Sequence, residues 1–397
     1  KPVQRRLLHT MNEIDDGKFN KVANIVGETM KLHPHGDAAI GSALVVMANK
    51  EDEIDKQGNF GNLLTGDPAS ASRYIEARLT PLAKETLFNT ELTEYAESYD
   101  GRNKEPVVLP CKLPLSLLFG AEGIAVGMST RILPHNINEI IDAQIAFLQN
   151  ISFKLRPDFL SGGMLDESEY EDGNGKVRVR AKIEITDDKL LTVRELPFGV
   201  TTESLIQSIQ DAVNKGKFKL SSIDNFTAET VEIELKAARG MDAEKLLKLL
   251  YAFTQCEVSI SVNMLLIQDN QPVQLNTSEV LKRNTLRLKD LLKQELMLSL
   301  QQTKQKWHQR RMEMYFIGEK LYKKLETCDS YEEALEVVRK DVLHIESILP
   351  FPIEQEDIEK LLTLQIKRIT RYDQKESQTE LDKLKVKISS KIGRAHV

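Results

Sequence analysis

The stretch Arg73-Tyr74-Ile75-Glu76-Ala77-Arg78-Leu79 follows the turn-forming Gly66-Asp67-Pro68, and its reading governs the rest of the chain. Ile75, Leu79 and Leu82 recur at helical spacing, so a helix carrying Tyr74 is expected. On that helix Tyr74 lies about 100° to the side of Ile75, off the buried stripe, with Arg78 one turn further on. A tyrosine next to Arg73 in that position has two readings. It is a rim residue, or it is a nucleophile held against a phosphate. A free phenol has a pKa near ~10, so attack at neutral pH needs help. A positioned arginine favours the phenolate and neutralises the crowded phosphoryl oxygens of the transition state.

Upstream, the first fifty residues predict three short helices. Val3, Leu7, Leu8, Met11 and Ile14 share one face; Val22, Ile25, Val26 and Met30 a second; Ile40, Leu44 and Met47 a third. His33-Pro34-His35-Gly36 breaks the chain before the third helix, for which Asp37 is the expected N-cap. Three helices with short connectors suit a helix-turn-helix. Downstream, Asn136 and Glu139 predict a capping box ahead of a helix with Ile137, Ile141, Ile145 and Leu148 inward. A second domain is expected from about Arg156-Pro157. Residues Lys176 to Ile185 alternate strictly and predict one half-buried strand. Val231–Leu235 and Val258–Val262 predict further strands, with helices near 202–214 and 242–253, an α+β arrangement. From about Ser278 a loose heptad of Leu281, Leu288, Leu291 and Leu298 predicts a coiled-coil arm, broken at Glu295 and over Gln301 to Lys306. Pro350 and Pro352 interrupt a small helical cluster, and Asp357 to Ile369 is amphipathic.

Composition sets limits. The 397 residues are enough for two to four domains. No apolar run approaches ~20 residues, which excludes a transmembrane helix. Cys111, Cys256 and Cys328 are too far apart for a metal knuckle, and a cytoplasmic protein with reduced thiols is expected. Net charge is −6, which argues mildly against nucleic acid, so any DNA claim rests on local motifs. One region departs from the average: residues 277–325 carry twelve Lys or Arg against five Asp or Glu, read first as a solvated helical face. Asp172-Gly173-Asn174-Gly175 lacks EF-hand spacing and is read as a turn. There is no P-loop motif. Glu51-Asp52-Glu53-Ile54-Asp55 is read as a charged surface turn rather than a metal cluster. The ends, Lys1 without a methionine and the adapter-like Ile392–Val397, are expected to be artificial.

Several motifs occur in one order: His33-Pro34-His35-Gly36-Asp37, Gln57-Gly58-Asn59-Phe60-Gly61-Asn62, Arg73-Tyr74, Tyr99-Asp100-Gly101-Arg102, Glu122-Gly123-Ile124-Ala125-Val126-Gly127-Met128 and Leu133-Pro134-His135-Asn136. In that order and spacing the chain resembles the breakage-reunion component of bacterial type IIA DNA topoisomerases over nearly its whole length.

The resemblance implies an α+β multidomain protein: a winged-helix domain with the catalytic tyrosine (1–150), a tower domain (151–275), a coiled-coil arm (276–320), a helical dimerisation region (321–372), the start of a returning arm (373–391) and a non-native tail (392–397). It implies that Tyr74, helped by Arg73, forms a 5′-phosphotyrosyl link while a second duplex passes through the break. Lys1, Arg5, Arg6, His33 and His35 are implied to contact the DNA backbone, and Ile124 to insert between base pairs as an apolar wedge. Lys176, Arg178, Arg180 and Lys182 are either a solvated face or a contact to bent DNA arms. The family's Mg²⁺ and ATP sites belong to a partner B subunit, and two copies of the breakage-reunion chain work together as a homodimer. A further catalytic arginine is implied upstream of Lys1, so the chain alone is expected to be inactive. Two departures stand out. Gln4 replaces a frequent histidine, and Ala38 and Ser42 occupy the serine and acidic positions that anchor quinolones, which implies a weak drug response. Short stretches from Met11 to Val22 and Met47 to Gln57 favour topoisomerase IV over gyrase. The rival from another class is a non-catalytic DNA-binding scaffold in which Tyr74 is structural.

Overall fold

The computed structural model describes all residues except 51, 269, 365–370 and 396–397; for 371–377 and 392–395 it describes the helical backbone alone. The chain forms two compact units, Lys1–Leu288 and Lys289–Val397.

The first unit opens as the periodicity predicts, with α1 (Pro2–Glu13), α2 (Val22–Thr29) and α3 (Asp37–Ala48). Leu7, Leu8, Met11, Val22, Ile25, Val26, Ile40, Leu44 and Met47 pack into one core. Two details differ. Gly36, not Asp37, is the N-cap of α3, and Asp37 lies in the first turn, where its charge complements the helix dipole. Met30 is exposed.

The larger correction concerns Tyr74. No helix carries it. Residues Ser72–Tyr74 form a turn that leads into a strand. Strands β1 (Asn20–Lys21), β2 (Ile54–Gln57) and β3 (Glu76–Leu79) make an antiparallel sheet in the order β1-β3-β2. Ile75, Ala77 and Leu79 face the core while Glu76 and Arg78 alternate outward, Arg78 to Asp55 of β2 at 2.9 Å. Thr80 then caps α4 (Pro81–Leu87) by accepting from Ala83 N, with Pro81 at a position that needs no amide donor. The expected surface turn around Glu53 is also corrected. Glu53 is buried, and Ile54 begins β2.

Hairpin β4 (Tyr95–Glu97)/β5 (Lys104–Pro106), helix α5 (Leu115–Leu118) and hairpin β6 (Ala121–Ala125)/β7 (Met128–Ile132) follow. Asn136 caps α6 (Ile137–Leu148), accepting from the amides of Asn138 and Glu139. Its buried face is Ile140, Ala143 and Gln144, whereas Ile141, Ile145 and Leu148, expected inward, are exposed.

The expected single strand 176–185 bends at buried Ala181, whose amide donates to Cys256 O and whose carbonyl accepts from Tyr251 OH. Its halves join two sheets. With β8 (Met164–Asp166), β9 (Lys176–Arg180) and β14 (Glu257–Ser261) the order is β14-β9-β8. With β10 (Lys182–Asp187), β11 (Leu190–Glu195), β12 (Leu220–Asn225) and β13 (Ile233–Ala237) it is β10-β11-β13-β12, packed by α7 (Thr202–Asn214) and α8 (Ala243–Phe253). Both helices match the sequence expectation. Hairpin β15 (Leu265–Gln268)/β16 (Gln271–Gln274) precedes α9 (Thr277–Gly318), which runs unbroken through the polar stretch 301–306.

In the second unit the end of α9, α10 (Tyr331–Val342) and α11 (Gln355–Leu362) enclose a core of Met312, Phe316, Val338, Val342 and Ile358. The end of the predicted amphipathic run, 365–369, lies outside the described residues. Helix α12 (Arg371–Ala395) returns along α9: Arg310 bonds Glu380, and Lys391 donates to Ser299 and Thr303. As residue numbers rise on one helix they fall on the other, so the pair is antiparallel.

Candidate active site and nucleic-acid interface

The turn bearing Tyr74 is fixed by backbone bonds on both sides. Ala23 N donates to Ser72 O at 3.1 Å, and Val22 N to Ile75 O at 3.0 Å, so the start of α2 holds the turn. Tyr74 N donates to Ala71 O. The preceding loop is equally ordered: Asn62 N donates to Asp67 O, and Ser70 N to Asn59 O. Gly61 has φ +81°, and a Cβ there would stand 2.5 Å from Asp67 O, so only glycine fits. At the loop's other end Thr202 N donates to Leu64 O, and Gly66 lies against Thr201.

This support leaves the phenol in the open. Tyr74 is 64% exposed, and the Arg73 guanidinium covers its ring at 4.6 Å from the centroid. A cation over an aromatic face is attracted by the ring quadrupole. No ion pair among the described residues occupies Arg73, whose N–H groups remain open to an incoming anion. The geometry brings Tyr74 and Arg73 together as the sequence implied, but on a turn.

Arg5, Arg6 and His33 form a second group. Arg6 makes a bidentate pair with Glu105, Nε at 2.6 Å and Nη2 at 2.7 Å, and its Nη1 lies 2.8 Å from His33 Nδ1. Arg5 donates to Val107 O at 2.8 Å and reaches Glu105 at 3.3 Å. The His33 ring meets that of His35 edge-on, centroids 4.4 Å apart. Burial, then His35 and Arg6, push the His33 pKa down, and Arg6 holds the Glu105 carboxyl below its usual range. Glu105 stands about a hundred positions away in sequence, and nothing in its local pattern marks it. No hydrogen bond among the described residues joins this group to Tyr74.

Hairpin β6/β7 forms a third. Its base is bridged to the segment before β15: Arg131 and Asn263 exchange backbone bonds of 2.8 and 3.1 Å, and Asn263 Nδ2 donates to Ser129 O. Its tip is bare, with Ile124 90% and Val126 100% exposed. Two exposed apolar side chains on a clamped hairpin suit insertion between stacked bases. Lys1 reaches over Gly123, and Lys50 of the segment after α3 donates to Phe119 O beside the hairpin. Ala38 and Ser42 are both exposed on one face of α3. The basic face of the bent strand is neutralised: Lys176 pairs with Glu169, Arg178 with Asp166, Arg180 with Glu257 and Lys182 with Glu195. Among the described residues no group of three or more His, Cys, Asp or Glu is gathered to hold a metal ion. No helix described is long and apolar enough to cross a membrane.

A fixed loop presenting a tyrosine with its arginine, and a clamped hairpin with a bare apolar tip, go with a family match along the sequence. Residues 1–394 match the DNA gyrase/topoisomerase IV A-subunit family, and the chain belongs to that family. It is 49% identical over 373 residues to the A subunit of DNA topoisomerase 4 from Borreliella burgdorferi, covering 94% of this chain and 60% of that protein. It is 32% identical over 422 residues to the A subunit of DNA gyrase from Leptospira biflexa, covering 98% of this chain and 49% of that protein. The chain therefore spans about half to three fifths of the length of these relatives.

Proposed function

We propose that the chain is the DNA-breaking core of the A subunit of a type IIA topoisomerase, of the topoisomerase IV kind, with Tyr74 as nucleophile. The observation that carries this reading is the exposed phenol of Tyr74 under the Arg73 guanidinium, on a turn bonded to α2. The phenolic oxygen bonds to phosphorus, its proton leaves to solvent, and the bond to the 3′ oxygen breaks. The departing 3′ oxygen takes up a proton. The 5′-phosphotyrosyl bond conserves the phosphodiester's energy, so the reverse attack reseals the strand.

In this reading α1–α3 with sheet β1-β3-β2 are the winged-helix domain within 1–150, residues 151–275 the tower, and α9 with α12 the two strands of the arm. Residues 321–372 are the dimerisation region. DNA contacts are assigned to Lys1, Arg5, Arg6, His33 and His35, and the wedge to Ile124. The partners are double-stranded DNA, a second copy of the chain and a B subunit that supplies the ATP and Mg²⁺ sites; the chemistry assigned to this chain is that of its own side chains. The place of action is the nucleoid. The 49% identity to a topoisomerase 4 relative favours this over a gyrase role.

The test is covalent trapping. The full-length gene product, with a cognate B subunit, Mg²⁺, ATP and supercoiled plasmid, is denatured with detergent and compared with Tyr74→Phe. Linear DNA carrying protein at its 5′ ends is expected with Tyr74 and absent with phenylalanine. DNA binding without adduct in both proteins would favour the scaffold reading instead.

A further inference from the structure

Glu105 has no place in the chemistry above, yet it is among the few acidic side chains buried in the first unit. It sits on β5 and turns both carboxylate oxygens to Arg6 of α1, with Arg5 on its edge. A two-bond arginine–carboxylate pair fixes the guanidinium plane as well as its position. The fixed plane aims Nη1 at His33 Nδ1, 2.8 Å away. Arginine only donates. His33 Nδ1 must therefore accept, and in a neutral ring the single proton must sit on Nε2.

We propose that Glu105 is a positioning residue that acts through Arg6 to hold His33 as the Nε2–H tautomer, so that the ring presents one fixed donor to a DNA phosphate. Three links carry this: Glu105 to Arg6, Arg6 to His33 Nδ1, and an Nε2 that has no protein partner among the described residues and is not sealed from solvent. The charged and titratable groups facing the ring are Arg6 and Glu105 from α1 and β5, and His35 from its own loop. The shifts agree with the geometry: His33 is held neutral, while Glu105 stays ionised through its bonds to Arg6. Without the carboxylate, Arg6 is free to rotate away, Nδ1 loses its donor and the two tautomers become comparable. The role for His33 rests on the DNA-breaking reading; the tautomer does not.

The experiment therefore has two arms. The full chain labelled with ¹⁵N in its histidine rings gives long-range ¹H–¹⁵N correlations, the His33 signals being assigned by their loss in His33→Gln. The parent is expected to show the Nε2–H pattern, Glu105→Gln a mixed pattern, and Glu105→Asp a return toward the parent. An Nδ1–H pattern in the parent, or an unchanged pattern in Glu105→Gln, overturns the proposal. In the second arm, full-length Glu105→Gln is expected to lose about tenfold to a hundredfold in DNA cleavage, the cost of weakening a charge-assisted hydrogen bond, with an altered pH profile. Unaltered cleavage and profile also overturn it. If the parent itself forms no Tyr74 adduct, the DNA-breaking reading falls and the tautomer arm still stands or falls by itself.

Discussion

At the scale of single residues, each candidate side chain is defined by what its neighbours leave free. Tyr74 and Arg73 are open because the backbone of their turn, not their side chains, carries the bonds to α2. Ala38 and Ser42, one helical turn apart on the exposed face of α3, present a methyl and a hydroxyl and no carboxylate at the two positions that the resemblance assigns to quinolone contact. We predict that Ala38→Ser with Ser42→Asp makes the full-length enzyme more sensitive to quinolone-stabilised cleavage, read as a lower drug concentration for half-maximal linear DNA. Equal sensitivity of parent and double variant would sink the assignment of these positions. His33 and Tyr74 were legible as candidates in the sequence because each sits in a motif. Glu105 was not, since its significance comes from a pairing with Arg6 across 99 positions.

At the scale of elements, the three opening helices could be read because each has one apolar face at a 3.6-residue period. The segment after Tyr74 could not. Ile75, Leu79 and Leu82 satisfy a helix, and Ile75, Ala77 and Leu79 satisfy a strand equally well. What decides is pairing with β1 and β2, which lie far away in sequence. Helix α6 fails differently: its apolar arc, from Ala143 and Ile140 round to Ile141 and Ile145, covers over half the circumference, so periodicity finds the helix but not which part of the arc is buried. The strand 176–185 alternates throughout, and nothing in alternation signals the bend at Ala181. The returning arm makes its own prediction. Replacing Ser299 and Lys391 by cysteine is expected to allow bridging within one chain by a short bis-maleimide cross-linker, seen as faster migration on a denaturing gel. Cysteines at Ser299 and Glu380 are expected to give none. The reverse outcome overturns the antiparallel register set by Lys391 and Arg310.

At the scale of the whole molecule, the net charge of −6 hides a local inequality, because most basic residues of the bent strand are neutralised in place while Lys1 and Arg73 are exposed. Stability carries a second signature. Burial, reinforced by Asp52, pushes the Glu53 pKa up to about 8, and one carboxylate oxygen has no partner among the described residues. The unfolded carboxyl ionises near 4.5. The folded state therefore holds an extra proton between about 4.5 and 8, and its stability falls as pH rises through that window, by at most about 1.4 kcal/mol per pH unit. Burial pulls the nearby Lys50 down to about 8, so its own pH effect lies above that value. Glu53→Gln is expected to flatten the pH dependence of the first unit's thermal transition between pH 5 and 8 and to raise its midpoint at pH 8. Parallel curves for variant and parent would mean that Glu53 ionises freely in the fold.

The loop that ends in Tyr74 is pinned at Leu64 and Gly66 to the start of α7, and at Ser72 and Ile75 to the start of α2. The span between these two sets of anchors is residues 67–71, whereas Tyr74 lies between Ser72 and Ile75, both of which are bonded to α2. Displacement of α7 from α2 therefore falls on 67–71, and the side chain proposed as nucleophile travels with α2 as one piece.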